Sequence, residues 1–442
     1  MLKIDFFQTS VINDYEKEIA GKVRARNGDK DDIIFIPKCI INPKTQMPYE
    51  ISIHDLLTID RSHILEIDGI GLYMYVCSAK KYTSMSNVEL LYALNSKYPK
   101  DVVKIEHRNG CYRYEINGVP YSGTRKDDKK DHNIIVKAAE LIREKIAEYN
   151  TDYADKYFYN GINSVEKLKV VLETMFNELE QNLVKSSSGK QMRIIDYALV
   201  SSELRHKLMS SIEVRTCPYC NRNYITRSGI NGSKSTADLD HFYQKEQYPL
   251  FALSLFNFVP SCPVCNSRMK NSHPADDTMY PYDEGFGDDV RFELRYIGPD
   301  PSGSKTLHLW QALESVKYDD FIIEIVVDPK TCQKRKERIE KSKSVFHLTE
   351  VYEDHKQDAL EIALRTRIYC EGSYKKFCEN LFEKCSKEGM IFSSASDLED
   401  YMFRKGFDRE WLIFGTFVND KKRKFDRPLS RMIYDIYHSK DK

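Results

Sequence analysis

The sequence lacks several features that would assign the protein to a class at once. It has no run of about eighteen apolar residues, no internal repeat, and no basic stretch followed by an apolar core in its first ten residues, MLKIDFFQTS. Its 67 lysines and arginines balance its 67 aspartates and glutamates, so no global excess of positive charge indicates nucleic-acid binding. We therefore expect a cytoplasmic protein without membrane spans, in which any basic surface is local.

The length of 442 residues predicts two or three domains. Short apolar runs alternate with turns over the first 130 residues or so, which indicates a mixed α+β region. Examples of these apolar runs are residues 33–36 and the stretch from Ile64 to Cys77, and Asn117-Gly118 predicts a hairpin turn. Two strand-like stretches, Val290 to Ile297 and Phe321 to Val327, follow in the second half.

Apolar residues recur with helical periodicity over residues 133–149 and over residues 164–184. In the second stretch Asn163 and Glu166 resemble a capping box, and one apolar stripe comprises Leu168, Leu172, Phe176, Leu179 and Leu183. The polar stretch KSSSGK at 185–190 is typical of a loop or short linker. Helical patterns at 344–366, 373–387 and 429–438 predict a mostly helical C-terminal third.

The eleven cysteines include two closely spaced pairs. Cys217 and Cys220 stand in CPYC, and Cys262 and Cys265 stand in CPVC. Four thiolates within tetrahedral reach form the usual ligand set of structural zinc. A redox CxxC and four unliganded core cysteines are the alternatives, and the pairing of two such motifs favours zinc.

Between the cysteine pairs lies STADLDHFY at 235–243, followed by FNFVPSC at 256–262 and by NSRMK after Cys265. This order predicts strand, loop, strand and helix. Polar side chains at the end of the first strand and at the start of the helix can then converge on one ion. An isolated Asp-His pair is more often an exposed polar turn, so the prediction depends on the whole arrangement.

In order and spacing these residues resemble the HNH nuclease superfamily, over about residues 217 to 270. Asp240-His241 resembles the first motif of that family, Asn257 its middle asparagine and Asn266 its last position. The resemblance implies a ββα-metal module with its zinc knuckles, set in an α+β protein. Residues 1–200 are then an N-terminal α+β region, 201–285 the HNH module, and 286–442 a mostly helical C-terminal region.

The resemblance also implies a mechanism for phosphodiester hydrolysis. Asp240 and Asn266 would hold Mg²⁺ or Mn²⁺, which stabilises the charge that builds up on the scissile phosphate and the leaving oxygen. His241 would accept the proton of the attacking water, and the products would carry 5′-phosphate and 3′-hydroxyl ends. Asn257 would hold the loop, and with it the His241 backbone, by hydrogen bonds.

Further candidates surround this set. Asp238 is a supporting acid or a direct metal ligand, ranked after Asp240. His273 is a third ligand or base if it is not a loop residue, and Lys245 and Lys270 contact phosphate if they are not merely solvated.

A basic C-terminal patch either contacts phosphate or is a solvated surface, and it comprises Arg404, Lys405, Arg409, Lys421, Lys422, Arg423 and Lys424. An aromatic run is more typical of core than of a base-stacking surface, and it comprises Phe242, Tyr243, Tyr248, Phe251, Phe256 and Phe258.

A longer stretch from Asp238 to Asn266, with YPYDE after it, resembles the HNH subunits of Septu-type anti-phage systems and related retron-associated effectors. The helical segment from Arg338 to Lys356 shares this resemblance. The resemblance implies an ATPase partner subunit and a nucleic-acid substrate, with DNA expected. We therefore expect residues 1–200 to regulate the nuclease or to dock the partner, and the protein to be able to form oligomers.

Two other functions are open. A non-catalytic zinc module would use the cysteines only to support a nucleic-acid or protein interaction. A stand-alone restriction or homing-type nuclease would read its target sequence without an ATPase. Asp240, His241 and Asn266 together favour a nuclease, because a scaffold does not need all three.

Overall fold

In the computed structural model, the contacts divide the chain into two compact units. The first, which we call the cysteine unit, comprises Met1–Phe6, His206–Asp240 and Val259–Lys442, and the second, the histidine unit, comprises Phe7–Arg205 and His241–Phe258. Across the part of the chain that the structure describes, no helix is long and apolar enough to cross a membrane. The described residues are 1–28, 32–36, 40–84, 103–108, 111–116, 119–123, 128–159, 161–181, 183–187, 190–212, 214–228, 234–271, 277–298, 318–369, 371–387, 392–404, 413 and 427–438.

The strands form small sheets. They are β1 (Ile33–Phe35), β2 (Glu50–Ser52), β3 (Val103–Arg108), β4 (Cys111–Ile116), β5 (Val119–Gly123), β6 (Val184–Ser187), β7 (Lys190–Arg193), β8 (Arg227–Ser228), β9 (Lys234–Ser235), β10 (Asp238–His241), β11 (Phe258–Ser261), β12 (Val290–Tyr296) and β13 (Phe321–Val327). Strands β3, β4 and β5 form one sheet, and the others pair as β1-β2, β6-β7, β8-β9, β10-β11 and β12-β13.

Helices account for more of the described chain than strands do, so the fold is α+β. They are α1 (Thr9–Asn27), α2 (Ile53–Thr58), α3 (Arg61–Ile64), α4 (Ile70–Ala79), α5 (Asp128–Ala147), α6 (Thr151–Phe158), α7 (Val165–Gln181), α8 (Ser202–Ser211), the π-helical α9 (Val264–Lys270), α10 (Gln333–Val345), α11 (Leu348–Glu353), α12 (Lys356–Ile368), α13 (Glu371–Lys387), α14 (Ala395–Arg404) and α15 (Ser430–His438).

The helical stripe of α7 is confirmed. Leu168, Leu172, Phe176 and Leu179 are buried, as is Leu183 just beyond the helix. The helix begins at Val165, and the hydroxyl of Ser164 accepts the Lys167 N–H at 3.2 Å, in the manner of an N-cap.

The expected strands at 290–297 and 321–327 are confirmed as β12 and β13, which end within one residue of the predicted bounds, and the apolar run at 33–36 contains β1. The predicted hairpin is confirmed too, because β4 and β5 pair antiparallel with Ile116 opposite Val119. Its turn residues, Asn117 and Gly118, lie outside the described residues.

The apolar run from Ile64 to Cys77 comprises the last residue of α3, a turn at 65–69 and most of α4. Leu72, Tyr73, Val76 and Cys77 are all buried. A helix buried on most of its surface shows a continuous apolar run, which periodicity cannot distinguish from that of a buried strand.

The loop expected at 185–190 is wrong, because both ends of this stretch lie in paired strands. Lys185 and Ser186 in β6 pair antiparallel with Met192 and Gln191 in β7. The residues that flank this strand pair, Leu183 and Ile194, are buried, and the Ile194 N–H donates to the Leu183 carbonyl at 2.7 Å. The polar composition of the strand pair resembles that of a linker, whereas cross-strand hydrogen bonds fix its backbone.

In the cysteine unit, the paired strands β12 and β13 lie against α15, which contacts β12. Arg431 and Asp435 are one turn apart on α15, and they bond to each other at 2.9 Å. Arg431 Nη2 donates to the Val290 carbonyl at 2.7 Å, and the Phe292 N–H donates to Asp435 at 3.0 Å. Polar contacts therefore fix the position of α15 along the edge of β12.

The first residues of the chain lie against the same unit. Leu2 N–H donates to the Pro218 carbonyl at 2.7 Å, and Ile4 N–H donates to the Pro281 carbonyl at 2.9 Å. A Cβ atom at Gly285 would lie 2.5 Å from the Lys3 backbone nitrogen and 2.9 Å from the Leu2 carbonyl carbon. The absence of a side chain at Gly285 thus lets two backbone segments approach closely.

We expect Gly285→Ala to destabilise the cysteine unit by about 1–3 kcal/mol, because the added methyl group meets backbone that can move only with its hydrogen bonds. The measurement is the midpoint of urea unfolding. Gly372→Ala is the matched control in the same unit, because no heavy atom lies within 4 Å of a Cβ at that position. A Gly285 variant as stable as this control would show that the N-terminal segment does not dock in this way in solution.

Candidate metal centre and polar site

The four predicted zinc ligands come together. One sulfur each from Cys217, Cys220, Cys262 and Cys265 lies within 4.8 Å of the others, and all four residues are buried. Within the described ranges this is the only group of three or more His, Cys, Asp or Glu residues with metal-binding proximity. Four soft sulfur donors at this spacing fit structural zinc.

Both cysteine turns direct backbone and side-chain N–H groups at sulfur. The Arg222 N–H approaches Cys220 Sγ at 3.4 Å, and the Cys265 N–H approaches Cys262 Sγ at 3.4 Å. The Asn223 amide donates to Cys262 Sγ at 3.3 Å. These donors favour thiolates over thiols, which is the form that a metal requires.

The thiol pKa values diverge in this cluster. Burial raises the pKa of Cys217, whereas hydrogen bonds from the other three thiols hold the pKa of Cys262 well below its ordinary value. Four negative charges cannot coexist at this spacing without a cation. Zinc would compensate all four thiolates together.

The C-terminal helices support the first cysteine turn. The Tyr352 hydroxyl donates to the Cys220 carbonyl at 2.7 Å. Asn221, in the left-handed conformation at φ 50°, accepts the Arg431 N–H at 3.0 Å on its side-chain oxygen. The Leu429 N–H donates to the Asn221 carbonyl at 2.6 Å. The turn that carries two zinc ligands is therefore also the attachment point of α15.

Asp240, the predicted metal ligand, forms a buried ion pair. Lys270 Nζ donates to its two carboxylate oxygens at 2.7 and 2.9 Å, and the Tyr219 hydroxyl donates to Oδ2 at 2.7 Å. The Lys270 and Asp240 side chains are only 2% and 4% exposed. Burial raises the pKa of Tyr219 well above its ordinary value, so this residue remains a hydrogen-bond donor.

Neither partner of Asp240 was predicted from the sequence, where Lys270 is expected to contact phosphate or solvent and Tyr219 has no expected role. The only available signal was the spacing, because Asn266 and Lys270 are one helical turn apart while Asp238 and Asp240 share one face of a strand. Four helical residues span about 6 Å and two strand residues about 6.7 Å, so the two pairs can align.

Asn266 contacts Asp238 at the other end of this alignment. Its side-chain N–H donates to Asp238 Oδ2 at 3.1 Å, and both residues are half-buried. The structure therefore pairs Asn266 with Asp238 and pairs Asp240 with Lys270. Of the two carboxylates, Asp238 is the more accessible to solvent.

His241 follows Asp240 directly, and the division between the two units falls at this peptide bond. Within the histidine unit its ring packs edge-on against Tyr197 and Phe258, with centroid distances of 4.7 and 5.2 Å. Its Nε2 lies 3.1 Å from the Ala252 carbonyl oxygen. Because a carbonyl only accepts, a neutral ring in this contact carries its proton on Nε2 and its lone pair on Nδ1.

Asn257 is fully buried in the histidine unit and ties together the loop after His241. Its Oδ1 accepts the Tyr243 N–H at 2.6 Å, and its Nδ2 donates to the Tyr243 and Phe251 carbonyls at 2.8 and 2.9 Å. Its own carbonyl accepts the Phe242 N–H at 2.8 Å. The three bonds of the Asn257 side chain are of the kind expected from the sequence, because each one joins the side chain to the loop backbone.

The aromatic run is core, as predicted. The Tyr243 ring meets Tyr248 at 5.1 Å and Phe251 at 5.9 Å, and Arg61 donates to its hydroxyl at 2.8 Å. The six residues Phe242, Tyr243, Tyr248, Phe251, Phe256 and Phe258 are each at most 1% exposed. They are therefore not available for stacking on nucleic-acid bases.

Of the remaining candidate residues, Lys245 and Arg404 lie within the described part of the chain. Lys245 is partly exposed, with its Nζ 5.4 Å from the centroid of the Tyr197 ring. Arg404 is exposed on α14 and donates to the Asp400 carbonyl at 3.3 Å. The other candidates lie outside the described residues, and they are His273, Lys405, Arg409, Lys421, Lys422, Arg423 and Lys424.

Comparisons of the chain with protein-family models, with curated proteins and with solved structures give no match.

We expect Cys220→Ser to remove the bound zinc and to lower the thermal unfolding temperature sharply, because structural zinc contributes directly to folding free energy. Mass spectrometry under native conditions measures the metal. Cys332→Ser is the control, because Cys332 is an exposed cysteine outside the cluster. Full zinc content in the Cys220 variant would contradict the four-cysteine site.

We expect Lys270→Met to cost about 3–5 kcal/mol of stability, because it leaves the Asp240 carboxylate buried without its cation. The double variant Asp240→Asn with Lys270→Met should recover much of that loss, since no buried charge remains. Chemical denaturation measures both, with Lys334→Met on the exposed face of α10 as the control. Equal losses in the single and double variants would rule out a coupled pair.

Proposed function

We propose that this protein is a metal-dependent nuclease of the HNH class that hydrolyses phosphodiester bonds, with DNA as the expected substrate. One observation carries the proposal. Between two cysteine pairs that form a zinc-type cluster, β10 ends in Asp240-His241, β11 pairs with it, and a helix bearing Asn266 follows. Asn257 directly precedes β11, and this order of polar residues, at the end of one strand, before the next and on a helix, is the one that the HNH resemblance implies.

His241 is the proposed general base. In the neutral form its Nε2 proton is committed to the Ala252 carbonyl, so proton uptake from water would occur at Nδ1. The edge-on contacts with Tyr197 and Phe258 restrict rotation of the ring. Asn257 supports this orientation indirectly, because it fixes the backbone of the two residues that follow His241.

The cysteine unit supplies hard oxygen donors that fit Mg²⁺ or Mn²⁺. Asp238 and the side-chain oxygen of Asn266 are the more accessible of these donors, and Asp240 lies two residues along the same strand. Such an ion supplies a Lewis acid for the phosphate when it is bound. Because Asp240 already accepts three hydrogen bonds, we propose that Asp238 and Asn266 are the main ligands and that Asp240 acts beside them.

A non-catalytic zinc module is the second candidate. Its support is that each polar residue of the site has a structural explanation: Asp240 is neutralised by Lys270, and Asn257 closes a loop. In that case the four-cysteine cluster would stabilise an interaction surface, and no hydrolysis would follow. The resemblance to Septu-type nucleases supports a further proposal, that the nuclease acts in anti-phage defence with an ATPase partner.

We expect the zinc-loaded protein to cut plasmid DNA when Mg²⁺ or Mn²⁺ is added, and His241→Gln to cut about 10²–10⁴-fold more slowly, since the general base is lost. Glutamine keeps an N–H donor for the Ala252 carbonyl, so the fold should be retained. His63→Gln, which changes an exposed histidine bonded to Asp60, is the control. The readout is the initial rate of plasmid nicking.

Undiminished cleavage by the His241 variant would refute this residue as the base. If the wild-type protein does not cut, the assay is repeated with the candidate ATPase and ATP. Absence of cleavage in both conditions, with zinc content normal, would favour the non-catalytic module.

A further inference from the structure

A cavity of about 260 Å³ lies within the histidine unit. It is walled by the segment that leads into α8 and by the loop that follows β10. The residues that matter here are Arg193, Asp196, Tyr197, Arg205, Lys245 and Ala252.

Two of these residues also contact His241. The Tyr197 ring lies 4.7 Å from the histidine ring, centroid to centroid, and the Ala252 carbonyl lies 3.1 Å from His241 Nε2. The cavity is therefore immediately adjacent to the proposed base. A strand that presents one phosphodiester at His241 would bring neighbouring parts of its backbone to this cavity.

The acidic residue of the cavity is already engaged. Asp196 Oδ2 accepts from Arg26 Nη1 at 3.2 Å, and Oδ1 accepts the Ala198 N–H at 2.9 Å. Arg193 is likewise engaged, because it forms an ion pair with Glu180. The net charge of the cavity is then determined by Arg205 and Lys245.

Arg205 and Lys245 flank one aromatic ring. The Arg205 guanidinium carbon and Lys245 Nζ each lie 5.4 Å from the centroid of the Tyr197 ring. Arg205 Nε is 3.5 Å from the Ser201 carbonyl, which is at the limit of a hydrogen bond. Lys245 is 3.8 Å from Glu246, a neighbour that is 71% exposed, and such a surface pair contributes little. Both cations can therefore bind an incoming anion.

We infer that this cavity binds a backbone phosphate of the nucleic-acid strand next to the one that is cleaved. Two cations that neutralise phosphate, beside an aromatic ring, are the chemistry that proteins use to hold a nucleic-acid backbone independently of its sequence. The inference rests on the proposed nuclease function and adds to it. It assigns Arg205, Lys245 and Tyr197 to substrate binding, and it assigns no role to them in proton transfer.

The test compares the full-length, zinc-loaded double variant Arg205→Gln with Lys245→Gln against a matched double variant, Lys17→Gln with Lys167→Gln. The control lysines are exposed on α1 and α7 of the same unit. Fluorescence anisotropy measures the Kd for a labelled duplex of about 30 base pairs at several salt concentrations, without added divalent metal. Cleavage kinetics in Mg²⁺ give kcat and KM separately.

Loss of two phosphate contacts should reduce the slope of log Kd against log salt by about 2 and weaken binding about 10- to 100-fold near 0.1 M salt. KM should rise in parallel while kcat stays within about twofold, because the contact is made equally in the ground state and the transition state. The control variant should match wild type in all of these quantities.

Three results would overturn the inference. Equal slopes in the two double variants would mean that the cavity does not contact phosphate, even if the wild-type protein cleaves DNA. Loss of ATP binding in place of DNA binding, measured with the same variants, would identify a nucleotide effector pocket. A wild-type protein that neither binds nor cuts DNA or RNA would overturn the proposed nuclease function itself, and the inference with it.

Discussion

Four buried sulfur atoms within 4.8 Å of one another impose the constraint on which the cysteine unit depends. Burial raises the pKa of Cys217, whereas hydrogen bonds from the other three thiols lower the pKa of Cys262, and a cation would allow all four to be thiolates together. A bound zinc ion would also fix two turns distant in sequence. Tyr352 and α15 both attach to the first of these turns, at Cys220 and at the residue directly after it.

The second constraint is the alignment of α9 with β10. It places Lys270 on Asp240 and Asn266 on Asp238, one buried pair beside one half-buried pair. A buried ion pair is weak evidence for stability by itself, because desolvation offsets most of the attraction. Its effect here is on geometry: Asp240 is held with three hydrogen bonds, and Asp238 is left as the accessible carboxylate.

In the histidine unit, several contacts hold the His241 imidazole in one orientation. Tyr197 and Phe258 pack on the ring, the Ala252 carbonyl selects the tautomer, and Asn257 replaces hydrogen bonds that the irregular loop backbone would otherwise lack. The neighbouring cavity with Arg205 and Lys245 depends on the same Tyr197 ring. The orientation of His241 and the proposed phosphate-binding cavity thus depend on one aromatic side chain.

The sequence predicted most where a residue type has few structural uses. The four cysteines of the paired CxxC motifs lie together, as predicted, and the apolar stripe of α7 is buried. Strands β12 and β13 lie at the two stretches that were predicted to be strand-like. The prediction was wrong where one pattern suits two structures, because the polar KSSSGK is compatible both with a linker and with the arms of a hairpin. The apolar run that ends at Cys77 is compatible with a strand and with a buried helix, and the structure places most of it in α4.

The sequence by itself therefore determined the zinc-type cluster, the α+β character and the set of polar residues to be considered. Only the tertiary structure decided which of those residues meet. Asp238, Asp240, Asn266 and Lys270 differ little as isolated polar side chains, and their pairing follows from the register between a strand and a helix. The register between β10 and α9 is set by long-range packing of the whole unit. The spacing of residues along the chain limits the possible registers but does not select one of them.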